Sequence, residues 1–543
     1  MSRFLRNALV KELKVKMGKG ITWAVAHSLL AGMVSAVESS GNCALATTTI
    51  YVPTTIYAFA PNVTSSRQGD SCVVTSSSST IETSSTSSAT TTDVNTPPSS
   101  SSITTTISST SLTTITVTPT SRGNTTITTR SSVPISTGFP TPTSTPGLPP
   151  PPPPPSGPFR GFKNTVYLTS WGIGQGKYNP KRLPVDDLSH VLYAFADISP
   201  NGTVLPPDRA VDLDKKDPDD DHWEPGSNAY GAVKRLYIHK KWNRHLKVLL
   251  SVGGGEFSPK FAAATSTELR RQTFAKSAVK LVTDWGFDGV DIDWEYPTTE
   301  TERDNLVKLV AACREVFDGY SFHNRLNYRF LVTVASPSGP ANWKFVDLPA
   351  MNRYIDIWHL MSYDFTGSWV HQSGHQSNVF LNKNNAASTP LNIDDAVRYY
   401  ESQGVSGQRI VMGLPLYGRS FNGTSGLGQN YTSIGTMGYY KDLPKAGARE
   451  DFDDVAKAAY SYDQKSRELV SYDNVRSTAF KANYVRDKKL GGAFFWEVSG
   501  DRGDRQSLVK TMSRTLDWLD RTPNNLRYPT SQYRNIRFGM PGT

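Results

Sequence analysis

Residues 288–297 read DGVDIDWEYP, and the fold of this chain follows from how that stretch is understood. Asp288, Asp291, Asp293 and Glu295 stand in a segment whose other residues suit a buried β-strand. Alternate side chains of a strand point to opposite faces. Asp291, Asp293 and Glu295 therefore project one way, and Val290, Ile292 and Trp294 the other. Acids grouped on one face repel each other and lose hydration, which a chain sustains where they share protons, bind a cation or do chemistry. A solvated face on an edge strand would explain the alternation, but the run after Gly286-Phe287 reads as interior. Calcium would accept these oxygens, yet such sites draw on turning backbone, and no EF-hand glycine spacing is present. A catalytic acid system is the better reading.

Outward from this strand, apolar runs of strand length alternate with helical patterns from Val166 onward, the mark of parallel β/α architecture. Strand cores are expected at 165–170, 190–196, 246–252, 289–295, 330–335, 355–363, 409–414 and 492–496. Roughly eighty residues separate the last two, too many for an ordinary connection. Within them YTSIG, AAYSYD and ELVSYD read as short strands and TAFKANYVRDKKL as a helix. Pattern alone leaves a closed barrel and an open doubly wound sheet both standing.

The acidic stretch fits the DxxDxDxE signature of glycoside hydrolase family 18, the chitinases and their relatives, with every acid in place. Six further matches run in family order: VYLTSWGIGQGKYNP (166–180), HVLYAFADI (190–198), LKVLLSVGG (246–254), LMSYDFTGSW (360–369), RIVMGLPLYGRSF (409–421) and LGGAFFWEVSGD (490–501). The chain thus resembles the fungal secreted chitinases of that family. The resemblance implies a (β/α)8 TIM barrel at 159–522 with a small α+β insertion domain between strands 7 and 8, about 420–486. It implies chitin and chito-oligosaccharides as partners, no cofactor, no metal and a monomer. Endo-β-N-acetylglucosaminidases acting on N-glycans use the same acidic strand, and non-catalytic chitin-binding lectins share the barrel. Lectins of that kind commonly lose the acid, which is kept here.

Asp293 and Glu295 lie two residues apart on one strand, with Cα atoms about 7 Å apart. Both then sit on one side of a bound sugar, and neither can attack the opposite face while the other donates a proton. The family solution is substrate assistance. The sugar's own 2-acetamido oxygen attacks its anomeric carbon to give an oxazolinium ion, with retention of configuration. The resemblance makes Glu295 the general acid and then base, and Asp293 the group that orients the acetamido N–H. Asp291 would hydrogen-bond Asp293 and share its proton, while Tyr363 would bond the attacking carbonyl. Asp288 is expected at the strand start rather than on the sugar. Groove positions implied are Tyr167, Phe195, Ser251, Gly254, Trp294, Tyr296, Met361, Asp364, Trp369, Tyr417, Arg419 and Trp496. Many fungal relatives follow SxGG with an aromatic residue that stacks a leaving-group sugar. Here Gly255 stands there, so that platform is weakened unless Trp369 or Phe257 replaces it.

Composition frames the rest. A basic region ending at Lys19 precedes the apolar run Ile21 to Val37, which reads as a signal peptide (1–37) or an uncleaved signal anchor, the one route to a membrane. Residues 38–158 form a Ser/Thr/Pro-rich low-complexity stalk that ends in seven consecutive prolines, Pro149 to Pro155. It is expected to be disordered and to carry O-glycans if exported. Export is compatible with Asn-x-Ser/Thr sites at Asn62, Asn124, Asn201, Asn422 and Asn430. An extracellular protein, free or at the cell wall, is expected. Cys43 and Cys72 could pair there, and Cys313 reads as a buried thiol. The net charge of +10 does not point to nucleic acid, because basic and acidic residues are interspersed. Residues 523–543 form a C-terminal tail without the hydrophobic end of a GPI signal.

Overall fold

The computed structural model describes residues 159–220 and 225–543, together with the backbone of four strands nearer the N-terminus. Those four form two separate antiparallel hairpins. Asn62–Gln68 pairs with Ser71–Ser77, and Thr114–Pro119 with Thr125–Arg130. The stalk was expected to be irregular, but these segments concentrate β-branched Thr, Val and Ile, which favour extended backbone. A two-stranded ribbon by itself is marginal in water. The signal or anchor segment, the proline run and the Cys43 and Cys72 side chains lie outside the described residues.

Eight parallel strands close on themselves: β1 (Lys163–Thr169), β2 (His190–Ile198), β3 (Lys247–Gly253), β4 (Gly289–Asp293), β5 (Leu331–Pro337), β6 (Ile357–Met361), β7 (Ile410–Pro415) and β8 (Gly492–Trp496). Each pairs with the next, and β8 pairs with β1, so the sheet is a barrel and not an open doubly wound sheet. The register sets the site. Asp291 lies opposite Ser251 on β3 and Thr333 on β5, so three polar side chains meet at one level inside the barrel. Below and around them the interior is filled by Leu192, Leu249, Ala335, Ile357, Val411 and Phe494, all buried. The outward residues of the same strands pack under helices such as Glu268–Trp285 and Glu300–His323.

Glu295 lies two residues beyond the end of β4, not within it. The helix that follows starts at Glu300, where Thr299 Oγ1 accepts a hydrogen bond from the Glu302 amide at 3.2 Å. That cap limits the acid-bearing connection to a short loop.

Between β7 and β8 an antiparallel sheet is inserted. Tyr417–Asn422 lies between Ser433–Ile434 and Glu468–Ser471, beyond which follow Ala458–Asp463 and Arg449–Asp453. Sequence patterning anticipated neither Arg449–Asp453, an acidic half-exposed strand, nor the start of the sheet only one residue after β7. The helix Val475–Asp487 then returns the chain to the barrel.

Residues 523–543, set apart as a tail, pack against the N-terminal end of the barrel. Asn524 Nδ2 donates to the carbonyls of Lys240, Asn243 and Leu246, and Tyr528 and Ile536 are fully buried. Asp288 belongs to this end. Its carboxylate accepts from Val248 N (2.8 Å), Tyr328 Oη (2.9 Å) and Asn525 N (3.0 Å), and pairs with Lys240 Nζ at 2.8 Å. Both side chains are wholly buried, and burial draws the Lys240 ammonium down to about 8. Removing one member of such a pair leaves the other charge unpaired. Lys240→Ala is therefore expected to cost about 3–5 kcal/mol in urea unfolding. A loss below about 1 kcal/mol would count against this reading of the pair.

Candidate active site

Asp291 is wholly buried, and both of its oxygens are taken. Oδ2 accepts from Tyr167 Oη (2.9 Å) and Ser251 Oγ (2.7 Å). Oδ1 accepts from Thr333 Oγ1 (2.6 Å) and lies 3.1 Å from His359 Nδ1. Burial alone would raise this carboxyl, but the His359 hydrogen bond and charge, with the Thr333 and Ser251 hydroxyls, outweigh it and hold it below the ordinary carboxylate value. Asp291 is thus an anchored anion. No hydrogen bond joins it to Asp293, contrary to expectation, because its acceptor sites already serve four neighbours. It acts on Asp293 through charge.

Asp293 is the opposite case. It is buried, its Oδ1 has no hydrogen-bond partner, and its carboxyl is pushed well up by burial, then by the Glu295 and Asp291 charges. Glu295, half-buried at the strand end, is raised by burial and then by the Asp364 charge. Ser258 pins the backbone between them: its Oγ accepts from Glu295 N at 2.6 Å and donates to Asp293 O at 3.4 Å. The result is a fixed anion beneath two acids that retain protons to higher pH than ordinary carboxyls.

Around the acids the strand ends supply aromatic walls. Trp496 stacks on Phe195 (centroids 5.5 Å, 18°) and meets Tyr167 edge-on at 5.1 Å. Trp171 extends this wall at 5.9 Å from Phe195 and is 43% exposed, so its face is open to a ligand. Tyr363 and Tyr296 pack against the same inner cluster, as does buried Met361. Burial keeps the Tyr363 hydroxyl protonated far above its usual range, and so available as a donor. Opposite, Asp364 accepts from Tyr417 Oη (2.5 Å) and Arg419 Nε (2.7 Å), and the Arg419 guanidinium lies 5.0 Å from the Trp369 ring. The insertion sheet therefore holds Asp364 from one side, since Tyr417 and Arg419 are both on its strand Tyr417–Asn422.

Three expected groove residues serve otherwise. Trp294 faces away from the cleft, 4% exposed and stacked on Phe261 at 5.0 Å and 7°, because strand alternation sends it into the barrel–helix layer. Ser251 is wholly buried and works only through Asp291. Tyr167, 1% exposed, is likewise a support of Asp291 rather than an open wall. Gly254 contributes space: with φ +75°, a Cβ there would lie 2.4 Å from the Phe195 ring. At Gly255 a Cβ would find only Glu295 Oε1, at 3.8 Å, so this position opens beside the acid. Trp369 is 59% exposed and Phe257 packs against the inner cluster, beneath Lys260 Nζ at 4.7 Å.

Sequence reasoning did not single out His359, Thr333, Ser258 or Trp171. His359 was within reach, since it stands two residues before Met361 and four before Tyr363 on the same strand face. Thr333 and Ser258 need the register and the loop path. Among the described residues no group of His, Cys, Asp or Glu is arranged to hold a metal.

The raised Glu295 carboxyl gives a signed pH prediction. A general acid works while protonated, so kcat/KM should fall as pH rises through its pKa. Asp364→Asn removes a negative charge that helps hold the proton, and the alkaline limb should move to lower pH. A limb that stays put or moves upward would contradict the coupling.

Comparison with known proteins agrees with this geometry. Residues 163–501 match the glycosyl hydrolases family 18 model. The chain is 45% identical over 386 residues to endochitinase 1 of Metarhizium robertsii and 43% identical to chitinase 1 of Aphanocladium album, in each case covering 70% of this chain and 91% of the relative. Among solved structures it superposes on a chitinase from Bacillus thuringiensis with a TM-score of 0.61 at 26% identity, over 68% of this chain and 71% of that one. A closed eight-stranded barrel, an acid system at its strand ends and a family match over most of the described chain lead to one statement: this protein belongs to glycosyl hydrolases family 18.

Proposed function

We propose that the chain is a chitinase that hydrolyses β-1,4-linked N-acetylglucosamine polymers with retention, using the substrate's acetamido group as nucleophile. The observation that carries this reading is the orphaned, buried Oδ1 of Asp293 beside the raised carboxyl of Glu295. A buried acceptor without a partner costs free energy until a ligand donates to it, and an acetamido N–H is such a donor. Asp293 then holds the acetamido group, Glu295 protonates the leaving oxygen and later activates water, and Tyr363 donates to the attacking carbonyl oxygen. Asp291 keeps a fixed negative charge beneath the developing oxazolinium ion. Trp496, Phe195 and Trp171 offer apolar faces to the sugar rings, and Asp364 with Arg419 borders the other side.

The relatives named as endochitinases favour chitin over N-glycans as substrate. The complete set of acids favours an enzyme over a lectin. Action outside the cell is supported by the exposed Asn201 and Asn430, whose Asn-x-Thr sites a glycosylating enzyme could reach. The test is incubation with a chitin hexamer and, separately, with a biantennary N-glycan, with products read by mass spectrometry. Shorter chito-oligosaccharides are expected from the first and no cleavage of the second. The reverse pattern would reassign the substrate.

A further inference from the structure

Beside the aromatic groove lies a cavity of about 420 Å³ between the segment after β1 and the segment after β8. Its walls carry Lys177, Arg182, Lys441, Arg502 and Lys510, and one carboxylate, Asp501. None of these five cations has a carboxylate within salt-bridge distance among the described residues. Lys441 and Lys510 donate to backbone carbonyls, of Ser499 (2.8 Å) and Gly503 (3.2 Å), and Lys441 Nζ also lies 5.0 Å from the Tyr439 ring. Arg502 donates to Leu443 O and Gln506 Oε1, but its Nε is buried with no acceptor. Lys177 and Arg182 are exposed.

Asp501 does not neutralise them. It is committed to the start of the helix Leu508–Leu516, where it accepts from Ser507 Oγ at 2.6 Å and Leu508 N at 2.9 Å. Glu497, the other acid nearby, accepts from the Ser499 amide at 3.0 Å and offsets only part of the Lys441 and Lys177 charge. Five cations against two carboxylates committed elsewhere leave this concavity with a positive excess, which a multiply charged anion relieves. A volume in the small-molecule range leaves room for more than the anion itself, and half-buried Tyr178 and Pro184 supply a surface on which a sugar ring can rest.

We propose that this pocket binds a sugar phosphate, a hexose-sized unit carrying a phosphoryl group, at a site separate from the catalytic groove. A dianionic phosphoryl group suits several convergent cations better than a single carboxylate does, and arginine and lysine are the side chains that recognise it. None of Trp171, Phe195, Tyr363 and Trp496 lines the pocket. Even so, Val498 and Ser499 do, two and three residues beyond Trp496, so a phosphorylated glycan held there would sit alongside the groove.

The test is calorimetric titration of the full chain with glucose 6-phosphate, glucose and inorganic phosphate at low salt. Saturable binding of glucose 6-phosphate at one site is expected, weaker binding of phosphate, and none of glucose. Arg182→Gln with Lys510→Gln should weaken glucose 6-phosphate about tenfold, or about 1.4 kcal/mol, while chitin hexamer turnover is unchanged. Lys276→Gln with Lys308→Gln, two exposed lysines elsewhere, should leave the affinity within about twofold. Equal weakening in both double variants would show general attraction to a basic protein and overturn the proposal. Inorganic phosphate binding as tightly as the sugar phosphate would overturn the sugar. Loss of chitin turnover in the pocket variant would place these cations in the groove and overturn the separation.

Discussion

Glu295→Gln is expected to lower turnover of a chitin hexamer by about 10²–10⁴-fold while oligosaccharide affinity stays within a few-fold of the parent. The amide keeps the shape of the side chain and its place at the end of β4, where Ser258 fixes the backbone. What it lacks is a proton to give the leaving oxygen. The surroundings of Glu295 favour holding that proton: burial and then the Asp364 charge both disfavour the carboxylate. Binding should survive because the aromatic wall of Trp496, Phe195 and Trp171 does not depend on Glu295 for its packing. Single-turnover kinetics together with a binding isotherm separate the two effects. A mutant with near-normal turnover would put the acid elsewhere.

A substrate with glucosamine in place of N-acetylglucosamine at the cleavage-site sugar should fail to turn over, however well it binds. The reason lies in the strand. Asp293 and Glu295 are close in sequence and on one side, so neither can attack the opposite face while the other donates a proton, and the Asp364 carboxylate across from them is engaged by Tyr417 and Arg419. Without the acetamido oxygen there is no nucleophile for the first step, and Asp293 Oδ1 remains without a donor. With it, two successive inversions give a β-configured first product, which NMR can record before mutarotation. An α product, or efficient cleavage next to glucosamine, would overturn this mechanism. Tyr363→Phe, by removing the hydroxyl that steadies the attacking carbonyl, should slow the acetylated substrate by about 10²-fold or more. Chelators should leave the rate unchanged.

Local pattern carried much of this protein. Period-two alternation in DGVDIDWEYP placed Asp291 and Asp293 inside the barrel and sent Val290 and Ile292 outward, as the buried strand shows. The same rule puts Trp294 outside, stacked on Phe261, although the family resemblance implies it in the groove. Strand ends were legible because glycine and the turn residues interrupt apolar runs, and the six motifs each fall on or beside a strand end. Closure of the barrel was not legible from alternation, since an open sheet has the same period; the family resemblance supplied it, and the β8–β1 pairing shows it.

The acid network was settled by three-dimensional neighbours. Asp291 and Asp293 have the same chemistry and lie two residues apart, yet one is held below the ordinary carboxylate value and the other pushed well above it. The difference is made by Tyr167, Ser251, Thr333 and His359, which come from four other strands and reach Asp291 alone. Likewise, Asp364 is tied to Tyr417 and Arg419 across more than fifty residues, and Asp288 to Asn525 across more than two hundred. A one-dimensional string specifies which face a side chain takes, because that depends on the backbone a few residues either way. It does not specify which donors converge on a carboxylate, because hydrogen bonds and charges act over a few ångströms of space, and only strand register and closure bring distant residues within that range.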